Sequence, residues 1–116
     1  MAKYETKLSG DFDRVIAAID EGIIRGSISA SREDASDFAC SSGKVRCAVR
    51  VYERYSMIGN NRVSLSVTLF GEGSELHLSA ITSGGSQAVF FKFNTFGERA
   101  FLERVVEIVE AYRSPS

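Results

Sequence analysis

A chain of 116 residues that is 44% apolar and 10% aromatic, with a single proline, has the composition of one globular domain and not of a disordered segment. Fourteen basic side chains against fifteen acidic ones leave a formal net charge of −1, without the basic excess that a dedicated nucleic-acid binder carries. No apolar run approaches the ~18 residues of a membrane-spanning helix, and no charged-then-apolar leader is expected. Two cysteines, Cys40 and Cys47, are too few for a disulfide framework and suit a reduced, cytoplasmic protein.

The expected elements begin with Ala2 to Leu8, compatible with an edge strand that packs Tyr4 and Leu8. Ser9-Gly10-Asp11 then opens a helix. Phe12, Val15, Ile16, Ile19 and Ile23 recur at helical spacing, Asp11 and Asp13 suit its positive start, and Gly26 suits its end. Its apolar stripe is expected to cover a sheet. Ser27 to Ser31 alternates around Ile28 and Ala30 as a short strand, Arg32 to Ser36 reads as a charged turn, and Phe38-Ala39-Cys40 as another short strand. From Val45 to Asn94 the chain reads VRCAVRVYERYS, NRVSLSVTLFG, SELHLSAITS and AVFFKFN, separated by IGN, EG and GGSQ. Alternation at period two between Gly and Asn clusters predicts an antiparallel meander. Thr95-Phe96-Gly97-Glu98 matches a capping box. The helix behind it is expected to bury Leu102, Val105, Val106 and Val109, with Phe101, Ile108 and Tyr112 widening the stripe.

Strand, helix, four or five antiparallel strands, helix is the order β-α-β(4–5)-α. Both helices need one sheet face to cover, which predicts an α+β two-layer sandwich. The expected domain spans 1–113, with a disordered tail at 114–116. The order is similar to TBP-like and helix-grip folds, a likeness that carries no function by itself. RCAVRVYERYS, NRVSLSVTL and SAITSGGSQAVFFKFNTFGE resemble hallmark stretches of a small bacterial family of unknown function. That resemblance covers nearly the whole chain. It implies a compact cytosolic bacterial protein and brings no activity, cofactor or partner with it.

Pairing across the turns predicts a sheet register. With Ser56 opposite Arg62 across a loop from Met57 to Asn61, Arg54 faces Ser64, Tyr52 faces Ser66 and Arg50 faces Thr68. A turn at Glu72-Gly73 sets His77 beside Thr68 and Ser79 beside Ser66, and a Gly84-to-Gln87 loop sets Lys92 beside Ser79 and Phe90 beside Ile81. The outward face then carries Arg46, Arg50, Tyr52, Arg54, His77 and Lys92 among Ser64, Ser66, Thr68 and Ser79, with Glu75 as its acid. Val45, Val49 and Val51 point inward with Val63, Leu65, Val67, Leu69, Leu76, Leu78 and Ala80. In this register Glu53 also points inward, opposite Leu65. A bare buried carboxylate is costly, so it should be salt-bridged, at the rim, or the anchor of a ligand pocket.

Other signals carry less. Ser83-Gly84-Gly85-Ser86-Gln87 has the look of a phosphate nest but lacks a P-loop lysine and joins two strands, so it reads as a hairpin turn. His77 is the single histidine, and Cys40, Cys47 and His77 lack metal-ligand spacing, so no metal site and no cofactor is expected. Ser66, His77 and Glu75 do not make a triad, since Glu75 and His77 run parallel on one strand. The expected function is therefore not enzymatic. The expected role is binding through Arg50, Tyr52, Arg54, His77 and Lys92 on the outer sheet face. The partner there is another protein or a second copy of the chain. The alternatives are an anion or nucleic-acid surface on the same residues, or a small ligand in a pocket near Glu53.

Overall fold

The computed structural model describes residues 1–26, 29–56, 61–84 and 91–113. Five strands form one antiparallel sheet in the order β1-β5-β4-β3-β2. They are β1 (Ala2–Ser9), β2 (Ser31–Ala39), β3 (Val45–Ser56), β4 (Asn61–Glu72) and β5 (Glu75–Gly84). Helix α1 (Phe12–Gly26) follows β1, and α2 (Phe91–Val109) follows β5 and ends in a 3-10 turn at Glu110–Tyr112. Strand β4, with two neighbours on either side, is the centre of the sheet.

The α1 stripe behaves as its spacing predicts: Phe12, Val15, Ile19 and Ile23 are buried. Asp11 caps the start, its carboxylate accepting a 2.9 Å hydrogen bond from the Arg14 amide. Helix α2 buries Phe101, Val105 and Val109, while Leu102 and Ile108 pack at the margin. These side chains join Val63, Leu65, Val67 and Leu69 of β4 and Leu76, Leu78 and Ala80 of β5 in one cluster. Both helices therefore share one face of the sheet, and the fold is the expected α+β sandwich. The helices touch where Gly22 offers no side chain, since a Cβ there would lie 2.5 Å from Ile108 Cδ1. The Gly22 carbonyl accepts a 3.4 Å hydrogen bond from Arg104 Nε.

Several local expectations are corrected. Arg32 to Ser36 is not a turn, because Ser31–Ala39 forms one continuous edge strand with a register shift between Arg32 and Asp34. Every residue of that strand is exposed. Its polar sequence hides it from a pattern search, and main-chain pairing with β3 holds it in place. Phe91 to Asn94 is helix, not a fourth meander strand, so the helix begins ahead of the Thr95–Glu98 box expected to start it. The β4–β5 turn falls at Gly73-Ser74, with Gly73 at φ +61 and Glu72 opposite Glu75. The expected tail 114–116, the 85–87 turn, the loop residues 57–60, residues 27–28 and the 88–90 part of the expected strand lie outside the described residues.

Candidate functional site: the uncovered sheet face

Register decides which side chains of β3 meet the helices. Ser56 opposes Asn61 and not Arg62, so Arg54 faces Val63, Tyr52 faces Leu65 and Arg50 faces Val67. A one-residue change in loop length inverts every side chain of a strand. The expected outward placement of Arg46, Arg50, Tyr52 and Arg54 is thereby reversed, because their partners on β4 belong to the core. The shift in the β4–β5 turn moves both turn residues together, so it preserves the faces and only slides His77 from Thr68 to Phe70.

On the helix side α1's acidic flank receives Arg46 and Tyr52. Asp13 and Asp20 stand two turns apart and so share a side of the helix. Arg46 makes hydrogen bonds of 3.0 and 2.7 Å to the two Asp13 oxygens and lies 4.4 Å above the Phe12 ring. That hydrogen-bonded guanidinium holds the Asp13 carboxyl below the usual carboxylate range. Arg50 is only 9% exposed. It donates to Asp37 Oδ1 at 3.1 Å and to the Val49 and Ser36 carbonyls at 3.1 and 3.4 Å. Tyr52 is fully buried and donates a 2.9 Å hydrogen bond to Asp20, which also receives Arg32 at 3.2 Å. Burial first, and then that bond, push the Tyr52 hydroxyl well above the usual phenol range. Arg54 lies 4.6 Å above the Phe101 ring, and burial lowers its pKa. Tyr52 and Arg54 thus brace the helix layer, and Arg50 ties β3 to the edge strand β2. Lys92 is in α2, off the sheet.

Glu53 has the opposite fate. It lies on the outer face, its Oε1 2.9 Å from Arg62 Nη1 and its Oε2 accepting a 3.4 Å hydrogen bond from Ser64. Arg62 also donates to the Tyr55 hydroxyl at 3.1 Å, and this bond, ahead of the charge of Glu53, raises its pKa. The crevice beside Glu53 measures about 30 Å³, so of the expected states Glu53 takes the salt-bridged one, as half of a surface ion pair, and not that of a ligand anchor.

What the register turns outward on β3 is an apolar stripe, set among polar side chains of the neighbouring strands. One row across the sheet reads Phe38, Cys47, Phe70, His77, Lys7; the next reads Ser36, Val49, Thr68, Ser79, Glu5; a third reads Asp34, Val51, Ser66, Ile81, Lys3. Val45 adds to the β3 stripe at one end. Phe38, Phe70 and Ile81 are 62%, 45% and 38% exposed. A groove of about 410 Å³ runs along this face between Lys7, Thr68, Phe70, His77 and Ser79. His77 keeps its expected outward place, now flanked by Phe70 and Lys7. A second hollow of about 520 Å³ opens where α1 begins, bounded by Phe12, Lys44, Arg46 and Gly71, with its arginine already engaged by Asp13. Among the described residues no group of three His, Cys, Asp or Glu side chains is placed to hold a metal, and no helix is long and apolar enough to cross a membrane.

Sequence reasoning also placed Val45, Val49 and Val51 on the wrong side, and they are joined outward by Cys47 and Phe38. The clue lay in Glu53: a register that buries it is the costlier one, and flipping β3 sends it to water and the valines with it.

No curated protein and no solved structure matches the chain. The model of one family, described as a family of unknown function (DUF6054), matches residues 1–113. The chain, with an outer sheet face that neither helix covers, belongs to the DUF6054 family.

Proposed function

We propose that this protein is a non-enzymatic interaction module whose outer sheet face is the contact surface for another protein. The observation that carries the reading is the valine and cysteine stripe of β3, flanked by Phe38, Phe70 and Ile81, on the face that neither helix covers. Contiguous apolar surface of this kind, rimmed by polar groups, is what protein contacts cover. The anion or nucleic-acid alternative loses its support, because Arg46 and Arg50 are engaged by Asp13 and Asp37 on the helix side. On the outer face Lys3 lies 4.0 Å from Glu5, and Arg62 is paired with Glu53. The non-enzymatic part rests on His77, whose cross-strand neighbours Phe70 and Lys7 offer it no orienting acid. Both cysteines are free thiols, which suits a reducing, cytoplasmic setting.

The test is site-specific photocrosslinking in growing cells with benzoylphenylalanine at Phe70, and at Glu103 on α2 as control. A discrete adduct from position 70 that position 103 does not give is the expected result. Equal or absent crosslinking at the two positions overturns the reading. Turnover in a hydrolase, phosphatase and esterase screen that His77→Ala abolishes would overturn its non-enzymatic half.

A further inference from the structure

We infer that the outer sheet face is covered by a second copy of this chain, stacked face to face about a two-fold axis running along β4. The inference rests on the reading of that face as a contact surface and adds the partner and the geometry. Two sheets can meet face to face about a two-fold axis lying between them, either along the strands or across them. The sheet order decides between these. An axis across the strands places each strand over its own copy with its direction reversed, so that, centred on the middle row, Lys3 lies over Lys7 of the copy, Glu5 over the copy's Glu5 and Asp34 over its Phe38. An axis along β4 places β1 over the partner's β2 and β5 over its β3.

The second arrangement matches rows of unlike character. In the third row Lys3 comes over Asp34 of the copy, Ile81 over Val51, and Ser66 over Ser66. In the first row His77 comes over Cys47, Lys7 over Phe38, and Phe70 meets Phe70 on the axis. One Asp34 oxygen accepts only a local 2.8 Å bond from the Ala35 amide, and Lys3 lies 4.0 Å from Glu5, so both keep capacity for an intermolecular pair. The size also suffices. Five strands about 4.8 Å apart and eight residues of about 3.3 Å rise give roughly 600 Å² per copy. Twice that is about 1,200 Å², the lower bound of a specific interface.

The test is sedimentation equilibrium of the intact chain over micromolar to high-micromolar concentrations, with melting curves to confirm folding. The parent is expected to dimerise. Phe70→Glu is expected to weaken the dimer by at least ~30-fold, the cost of one central anchor of about 2 kcal/mol. Lys3→Asp and Asp34→Lys are each expected to weaken it by ~10-fold, since the two-fold repeats each repulsion, and the doubly swapped chain should regain most of the loss. If Phe70→Glu unfolds the chain, Ile81→Lys replaces it with the same expected direction.

A parent that stays monomeric overturns the inference. A dimer indifferent to Phe70→Glu and Ile81→Lys overturns it too, and so does a double swap that fails to recover. A photocrosslink from position 70 to a different protein, with the chain monomeric, overturns the self-partner and leaves the contact-surface reading standing. Absence of any crosslink removes both.

Discussion

Tyr52 shows how a single side chain can serve as core and as polar link together. Its ring is buried against the helix layer while its hydroxyl reaches Asp20 at 2.9 Å. A hydrogen bond to a charged acceptor contributes ~1.5–3 kcal/mol, so Tyr52→Phe should lower stability by about 1–2 kcal/mol near neutrality, measured by urea denaturation. The pH dependence has a definite sign. The phenol is held neutral in the fold, above its unfolded pKa of about 10. Its contribution is therefore complete below about pH 10 and declines as the pH climbs toward the folded value. The gap between parent and Tyr52→Phe should accordingly narrow above pH 10, and a gap that stays constant would detach the hydroxyl from the alkaline limb. Arg50 gives a second contrast. Its side chain is nearly closed off beside Asp37. Arg50→Glu would place two carboxylates there and leave the Ser36 and Val49 carbonyls without their donor. A loss of about 3 kcal/mol is expected, with thermal unfolding as the readout. A change in association at unchanged stability would place Arg50 on the outer face after all.

At the scale of elements, the parts with one apolar phase were readable and the part with two was not. Helix α1 and strands β4 and β5 each carry a single stripe, and their buried residues fall where spacing puts them. Strand β3 offers valines on one phase and Ala48 and Tyr52 among arginines on the other, so hydropathy favours the wrong side. The deciding terms are the ion pairs of α1 with Arg46 and Arg32 and the exposure of Glu53, none of which is local in sequence. Strand β2 was illegible for another reason: it buries nothing, and its place is set by backbone pairing and by the ion pairs of Arg32 and Asp37. The start of α2 was misread because Phe91 and Phe93 also fit a strand. Of the residues expected to form the site, His77 alone faces as foreseen. The end of β5 supplies an element-scale test. Gly84 sits at φ +120, and a Cβ there would come within 2.6 Å of the Arg62 carbonyl oxygen and 3.3 Å of Val63 Cα. Both obstacles are backbone, so Gly84→Ala should cost about 2–3 kcal/mol and lower the melting temperature by roughly 10 °C. A melting temperature within a degree or two of the parent would contradict this placement.

For the whole molecule, the near-cancelling charge and the removal of the arginines to the helix side lead to the same expectation. A panel of RNA and DNA oligonucleotides at physiological salt should show no mobility shift, and a shift that fades with salt in proportion to phosphates contacted would restore the nucleic-acid alternative. The strand order has a further consequence in time. The meander from β2 to β5 can close through successive hairpins, each between neighbours in the chain. Strand β1 cannot, because Leu8 pairs with Leu76, about seventy residues later, and pairing at that separation is slow. During synthesis α1 therefore emerges with its stripe bare and β1 without its neighbour, and both wait for β5 and α2. A nascent chain halted before Glu75 would still lack the strand beside which β1 belongs, so it should remain open to chaperone capture until the last third of the polypeptide is made.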